Sequence, residues 1–331
     1  MLPAASERRR PGPSIARVAG AVAAIVLVTT LGDVCRAQDG AQSTRLEIGA
    51  FGPQGPRMRE QLWMLPGGDP GIALRATVFR PTNVSDEVAQ NANSQHPLVV
   101  INHGTSEWTR EAVSMPVYYW LSRWFVERGY VVVLPQRRGH GSTGGALVES
   151  VGDCSNPDHF GSGQIAADDI EAAVKFMNSQ PFVAPGQTIV VGISTGGWAS
   201  LALASRNVPG VRAVINIAGG RGGHAGGRVN AVCAPGRLIA AAGLYGKMAR
   251  TPTLWLYAEN DSYFGPDLAR GMAEAWRAAG GAAELDVLPS YGAEGHDIID
   301  DQAGWTLWGP VVDGFLNAHS RPVLAVSAEA R

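Results

Sequence analysis

From residue 97 onward, short apolar runs alternate with stretches of helical spacing. Pro97–Asn102 (P-L-V-V-I-N), Tyr130–Pro135 (Y-V-V-V-L-P), Gln187–Ile193, Val211–Ile217, Pro252–Ala258 and Ala283–Leu288 are runs of strand length, most of them nearly unbroken. A strand covered on both faces has no solvent side and so shows no polar alternation. Between these runs, Val117–Arg128 reads as an aromatic-rich helix and Gly196–Ser205 as a helix of small residues. Gly163–Ser179 repeats apolar residues at Ile165, Ile170, Ala173, Val174 and Met177, which is helical spacing. Pro266–Ala279 and Trp305–His319 complete the helices. Buried strands alternating with helices predict a parallel sheet covered on both faces, the α/β class. Ahead of this region, Gln61–Leu65 and Ile72–Phe79 read as early antiparallel strands, with a further candidate strand near Thr44–Ile48. Pro81–His96 is rich in Asn, Ser, Asp and Gln and is expected as an exposed loop.

The first 37 residues follow a different pattern. Arg8, Arg9 and Arg10 precede an apolar stretch from Val18 to Leu31, and Val34-Cys35-Arg36-Ala37 places small residues before a cleavage point after Ala37. A basic start, a short apolar run and small residues at the cut describe a secretory signal peptide. The apolar run is shorter than the roughly 20 residues that span a bilayer, so a retained anchor is the weaker alternative. The expected organisation is therefore a signal peptide at 1–37 and one α/β domain at 38–331. No stable membrane span is expected after processing, and export to the periplasm or medium follows.

Bulk composition narrows the function classes. The 331 residues are 45% hydrophobic and 17% charged with a formal net charge of −2, a globular balance with no basic stretch for nucleic acid. Of three cysteines, Cys35 lies in the signal segment. Cys154 and Cys233 remain, and in an oxidising compartment two cysteines most simply pair, although two buried thiols stay open as the alternative. No H-E-x-x-H, C-x-x-C pair, phosphate loop or dinucleotide fingerprint is present, so neither a metal nor a cofactor is expected.

The chemistry centres on Gly192-Ile193-Ser194-Thr195-Gly196, where a predicted strand ends and a helix begins. In a G-x-S-x-G elbow the glycines let strand and helix approach, the serine hydroxyl is lifted to the sheet edge, and the next backbone N–H faces the reacting carbonyl. Ser194 is the expected nucleophile. A serine needs a base, and the base needs an orienting acid. Asp261 closes the strand T-L-W-L-Y-A, and His296 sits in Gly292-Ala293-Glu294-Gly295-His296 before the last helix, giving the order Ser, Asp, His. Glu259 is the second choice of acid. His224 precedes Asp261 and breaks that order; His319 reads as a surface residue. The loop His103-Gly104-Thr105 follows the first parallel strand and supplies a second oxyanion donor, the Thr105 N–H, beside that of Thr195. His103 itself suits packing at the strand end.

Asn102-His103-Gly104, Gln136-Arg137-Arg138-Gly139-His140-Gly141, the Gly192–Gly197 elbow, Tyr257–Asp261 and Gly295-His296 together resemble the dienelactone-hydrolase-related branch of the α/β hydrolases, close to the prolyl-oligopeptidase group. The resemblance covers about residues 60–320. It implies an eight-stranded, mostly parallel sheet with helices on both faces, and hydrolysis through an acyl-enzyme. Dienelactone hydrolase itself uses a cysteine nucleophile; serine stands here, which points away from that substrate. Ala218–Arg250, where this fold inserts a cap, leaves room for a small one at most.

The expected function is an exported carboxylic-ester hydrolase acting on a small ester or short acyl substrate. A peptidase or amidase with the same machinery and an idle hydrolase scaffold used for binding are the alternatives. Trp108, Tyr263 and Arg137 are candidate substrate contacts. Arg137 and Arg138 have a competing structural role through salt bridges to Asp153 or Asp169, and Trp198 through core packing.

Overall fold

The computed structural model describes residues 47–81, 95–105, 110 and 113–319. The expected signal peptide, Cys35 and Trp108 lie outside them, and so does most of the candidate strand Thr44–Ile48. Every described residue belongs to the unit Arg45–Arg331.

Nine strands form one sheet among the described residues: β1 (Gly49–Phe51), β2 (Gln61–Pro66), β3 (Ala73–Phe79), β4 (His96–Asn102), β5 (Val131–Pro135), β6 (Val183–Ile193), β7 (Val211–Ile217), β8 (Thr253–Ala258) and β9 (Ala283–Leu288). Their order is β1-β2-β3-β5-β4-β6-β7-β8-β9. The first three strands and the β3–β5 pair are antiparallel, and every pair from β5 to β9 is parallel. This is the α/β-hydrolase fold, with nine strands in place of the expected eight. The additional strand is β1, which pairs Phe51 with Leu62 at the antiparallel edge.

Among the described residues, six α-helices flank the sheet: α1 (Tyr119–Glu127), α2 (His159–Asn178), α3 (Thr195–Ala204), α4 (Pro235–Met248), α5 (Pro266–Ala278) and α6 (Trp305–His319). Two cores follow from the side-chain alternation of buried strands. On one face, Val100, Val133, Val190, Val214 and Trp255 pack against residues of α2, α3, α4 and α5. On the other, Val99, Ile101, Val132, Val191 and Ile215 pack against Leu121, Trp124 and Phe125 of α1 and Trp308, Val312 and Phe315 of α6. α2 starts four residues earlier than its apolar spacing predicts because the Asp158 side chain caps it, accepting the Gly161 N–H at 2.8 Å. The segment expected to hold a small cap instead contains α4. That helix buries Leu238, Ala241, Ala242 and Tyr245 in the core, so it is part of the layer rather than a lid.

Candidate active site

The parallel order β4-β6-β7-β8-β9 brings the C-terminal ends of neighbouring strands side by side. Ser194 lies between β6 and α3 with φ 54° and ψ −122°. A side chain at positive φ is strained, and its surroundings must over-determine it. They do so through two glycines. A Cβ at Gly192 would lie 2.1 Å from the Gly196 carbonyl oxygen, and one at Gly196 would lie 2.2 Å from the Asn102 carbonyl oxygen. Only hydrogen fits where β6, α3 and β4 converge. The Ser194 N–H donates to Ile217 O at 3.0 Å, and its carbonyl accepts from Trp198 N and Gly220 N at 3.1 and 3.2 Å. All ten residues of α3 are buried, while Ser194 stays partly exposed.

Asp261 follows β8 with a fully buried carboxylate. Its Oδ1 accepts the N–H groups of Tyr263 and Phe264 at 2.8 and 2.9 Å, which fixes the carboxylate in its own turn. His296, on the short helical turn Gly295–Asp297, places Nδ1 3.1 Å from Asp261 Oδ2 and 3.2 Å from Oδ1. A carboxylate only accepts, so Nδ1 carries the proton and Nε2 keeps a free lone pair. No hydrogen bond joins His296 to Ser194 Oγ in this structure; such contacts are often long until substrate binds. Glu259, the second choice of acid, is exposed and accepts from Ser290 Oγ at 3.3 Å instead.

Two residues that the sequence reading passed over tie the acid loop to the base loop. Asn260 donates Nδ2–H to Tyr291 O at 3.0 Å, accepts Tyr291 N–H at 2.8 Å through Oδ1, and accepts Gly295 N–H at 3.3 Å through its carbonyl. Glu294 accepts the N–H groups of Ser262 and His296 at 3.0 and 2.9 Å, and also the Ser262 hydroxyl. Burial pushes the Glu294 carboxyl up, but these donors outweigh it and hold the group below its ordinary range. Tyr263, a candidate substrate contact, lies between two imidazoles, 3.6 Å from the His224 ring centroid and 4.4 Å from that of His296. His224 Nε2 also meets Ser262 Oγ at 2.8 Å, so this histidine supports the acid loop although chain order removed it as a base. His319 pairs with Glu284 at 2.7 Å, away from this constellation.

The loop after β4 closes over the serine from the other side. A Cβ at Gly104 would lie 3.0 Å from Ser194 Cβ and 3.6 Å from its Oγ. The Gly104 N–H donates to the Tyr118 hydroxyl at 3.1 Å, and burial raises the Tyr118 pKa. Tyr118 precedes α1 with φ 31°, a placement no sequence spacing announced. The Thr105 N–H makes no hydrogen bond to a described residue, and the Thr195 N–H opens α3, where helix donors lack internal partners. His103 is buried. Its Nε2 accepts the Arg137 N–H at 3.0 Å, so Nδ1 must be the donor to Gly104 O at 2.7 Å. Burial first, then the Arg137 charge, pushes its pKa well down, and the ring is neutral.

Arg137 is not available to substrate. Its side chain is fully buried, with Nε and Nη2 on the Glu149 carboxylate at 2.8 and 3.1 Å and Nη1 on His103 O at 2.8 Å. The structural role holds, but its partner is Glu149 rather than Asp153 or Asp169. Arg138 takes Asp169, at 2.8 Å. Trp198 is core, donating Nε1–H to His159 O at 2.8 Å. Cys154 and Cys233 form a disulfide with a Cα–Cα distance of 4.8 Å. Among the described residues, no three His, Cys, Asp or Glu side chains come together as a metal site.

A model of the X-Pro dipeptidyl-peptidase (S15) family matches residues 70–277. No curated protein sequence matches the chain. Among solved structures, an acylaminoacyl peptidase of Pyrococcus horikoshii aligns at TM-score 0.54 and 14% identity over 78% of this chain and 41% of its own. The chain thus spans about two fifths of that peptidase's length. Est1E of Butyrivibrio proteoclasticus with ferulic acid bound aligns at TM-score 0.52 and 17% identity, over 77% of this chain and 98% of its own. An esterase of Pyrococcus furiosus aligns at TM-score 0.53 and 16% identity, over 82% and 97%.

Proposed function

The chain belongs to the X-Pro dipeptidyl-peptidase (S15) family, and from that premise we propose that it is an exported serine hydrolase that cleaves small carboxylic esters through an acyl-enzyme. The observation that carries the reading is Ser194, held at positive φ on the β6–α3 turn, together with a His296–Asp261 pair already joined at 3.1 Å. In the first step Ser194 Oγ attacks the acyl carbon and its proton passes to His296 Nε2. Asp261 holds the Nδ1–H and stabilises the imidazolium. The N–H groups of Thr105 and Thr195 meet the oxyanion. Collapse breaks the bond to the alcohol, which leaves with the proton from His296; water then repeats the sequence in reverse and frees the acid.

A peptidase reading is supported by the family itself and by the acylaminoacyl peptidase likeness. The ester reading is supported by two esterases whose own chains align over 97% and 98% of their length. The export part is supported by the Cys154–Cys233 disulfide together with the arginine-led apolar segment at the start of the chain.

The test is a panel of p-nitrophenyl esters of increasing acyl length alongside X-Pro and acylaminoacyl anilides. Hydrolysis of the short esters, with Ser194→Ala inert and unlabelled by a fluorophosphonate, is the expected result. Turnover of the anilides alone would establish the peptidase reading. Ester turnover that survives Ser194→Ala would sink the mechanism.

A further inference from the structure

The oxyanion loop has a buried buttress that the mechanism above does not use. Thr105 Oγ1 lies 2.7 Å from His140 Nε2. His140 Nδ1 lies 3.1 Å from Arg138 O and 3.3 Å from Arg137 O. Carbonyls only accept, so Nδ1 bears the proton; in the neutral ring Nε2 is then an acceptor, and the Thr105 hydroxyl is the donor. The His140 side chain is wholly buried and packs edge-on against His103, with centroids 4.8 Å apart.

The turn that carries His140 is closely packed. A Cβ at Gly139 would meet Leu147 Cα at 2.5 Å, and one at Gly141 would meet Val113 O at 2.1 Å, both residues having positive φ. Around the ring, Glu149 Oε1 lies 3.7 Å from Nε2, Arg137 pairs with Glu149, and Arg221 stands 3.9 Å from the same carboxylate. Among the described residues, His103 also faces the ring. The ring is therefore held by two carbonyls, a histidine and a closely packed turn, and its one remaining nitrogen meets Thr105.

We propose that His140 is a positioning residue for the oxyanion hole, fixing through the Thr105 hydroxyl the peptide plane whose N–H meets the developing oxyanion. The inference rests on Thr105 being the oxyanion donor in the function proposed above. A donor aimed by a buried partner needs no reorganisation as charge develops. Its alignment matters more in the transition state than in the ground state, so its loss falls on kcat.

The experiment measures kcat and KM for a short p-nitrophenyl ester in wild type, Thr105→Val, Thr105→Ser, His140→Leu, His140→Gln and the Thr105→Val/His140→Leu double variant. Loss of one oxyanion donor costs about 10²–10³ in kcat, so its misalignment is expected to cost about tenfold. Thr105→Val and His140→Leu should each show that loss with little change in KM, and the double variant should be no worse than either single. Thr105→Ser should regain most of what Thr105→Val loses, and His140→Gln, whose amide oxygen can stand at the Nε2 position, part of what His140→Leu loses. Should His140→Leu fail to fold, the Thr105→Val and Thr105→Ser pair decides alone, since they differ in keeping one hydroxyl. An unchanged kcat in Thr105→Val, an effect confined to KM, or multiplied losses in the double variant would overturn the proposal while leaving the ester hydrolase standing. A wild type inert toward every ester and anilide would overturn both.

Discussion

At the scale of single residues, the site combines positions with local signals and positions with none. Ser194 was legible because its constraint is local: a serine at positive φ needs small neighbours two residues away on each side, and Gly192 and Gly196 stand there. Asp261 and His296 were legible from chain order and from their places after predicted strands. Asn260, Glu294, Tyr118 and His140 were not. Their partners lie 31 residues on at Tyr291, 32 residues back at Ser262, 14 residues back at Gly104 and 35 residues back at Thr105. No spacing rule links residues that meet only when strands align. Arg137 carried two readings, a substrate contact or a structural pin, and its burial against Glu149 gives the structural one with a partner that no spacing indicated. A residue-scale prediction concerns Asp261. Asp261→Asn keeps an oxygen for the Tyr263 and Phe264 N–H groups but presents His296 with an amide that can impose the wrong tautomer. The kcat for ester hydrolysis should fall by about 10⁴ with the fold intact, as steady-state rates and circular dichroism would read. A fall below tenfold would argue that Asp261 does not orient the base.

At the scale of elements, apolar runs located eight strands to within a few residues, because the six parallel strands β4–β9 are largely buried and the antiparallel β2 and β3 each bury one or both faces. The exceptions have physical causes. β1 is only three residues long and pairs along one edge, so it lacks a periodic signal. β6 begins at Val183, four residues before its apolar run, because Ala184–Gln187 pass through a register shift beside β4. The disulfide is also an element-scale feature. It joins the loop before α2 to the loop before α4, and His159, the first residue of α2, meets the Cys233 carbonyl at 3.0 Å. Closing a loop of 79 residues contributes about 4 kcal/mol in the chain-entropy model. Dithiothreitol should therefore lower the Tm of the wild type toward that of the Cys154→Ser/Cys233→Ser variant and leave the variant unmoved. Equal Tm values with and without reductant in the wild type would show that the bridge does not contribute.

At the scale of the whole molecule, buried charge couples stability to pH. His103 and His140 are each pushed below the ordinary imidazole range by burial first and by Arg137 second, and His159 by burial first. The folded chain protonates them less readily than the unfolded chain, which takes up protons below about pH 6.5. The unfolded state then binds more protons, so stability is complete above about pH 6.5 and is lost as pH falls below it, by up to about 1.4 kcal/mol per pH unit for each histidine. Glu149 does not contribute to this window: Arg137 outweighs burial and holds its carboxyl far below the usual range, so it stays ionised throughout. Asp169 and Asp300, pushed up by burial, act in the opposite direction. Denaturant unfolding between pH 5 and 7 should show stability falling toward acid, with a shallower slope in His140→Leu than in wild type. Parallel slopes would mean His140 is protonated in the folded state.

The chain's own letters determined the α/β class and the run of strands, and they pointed to a candidate nucleophile on its turn with a candidate acid and base in workable order, since these follow from local periodicity, from steric demands within a few residues and from chain order. The tertiary structure alone decided which carboxylate reaches His296, what closes Arg137 from solvent, how Asn260 and Glu294 tie the two loops, and why Thr105 points where it does. Those outcomes depend on strand order. Ser194, Asp261 and His296 are separated by 67 and 35 residues of chain, and the adjacency of β6, β7, β8 and β9 brings the strand ends that precede them to one edge of the sheet as a candidate site.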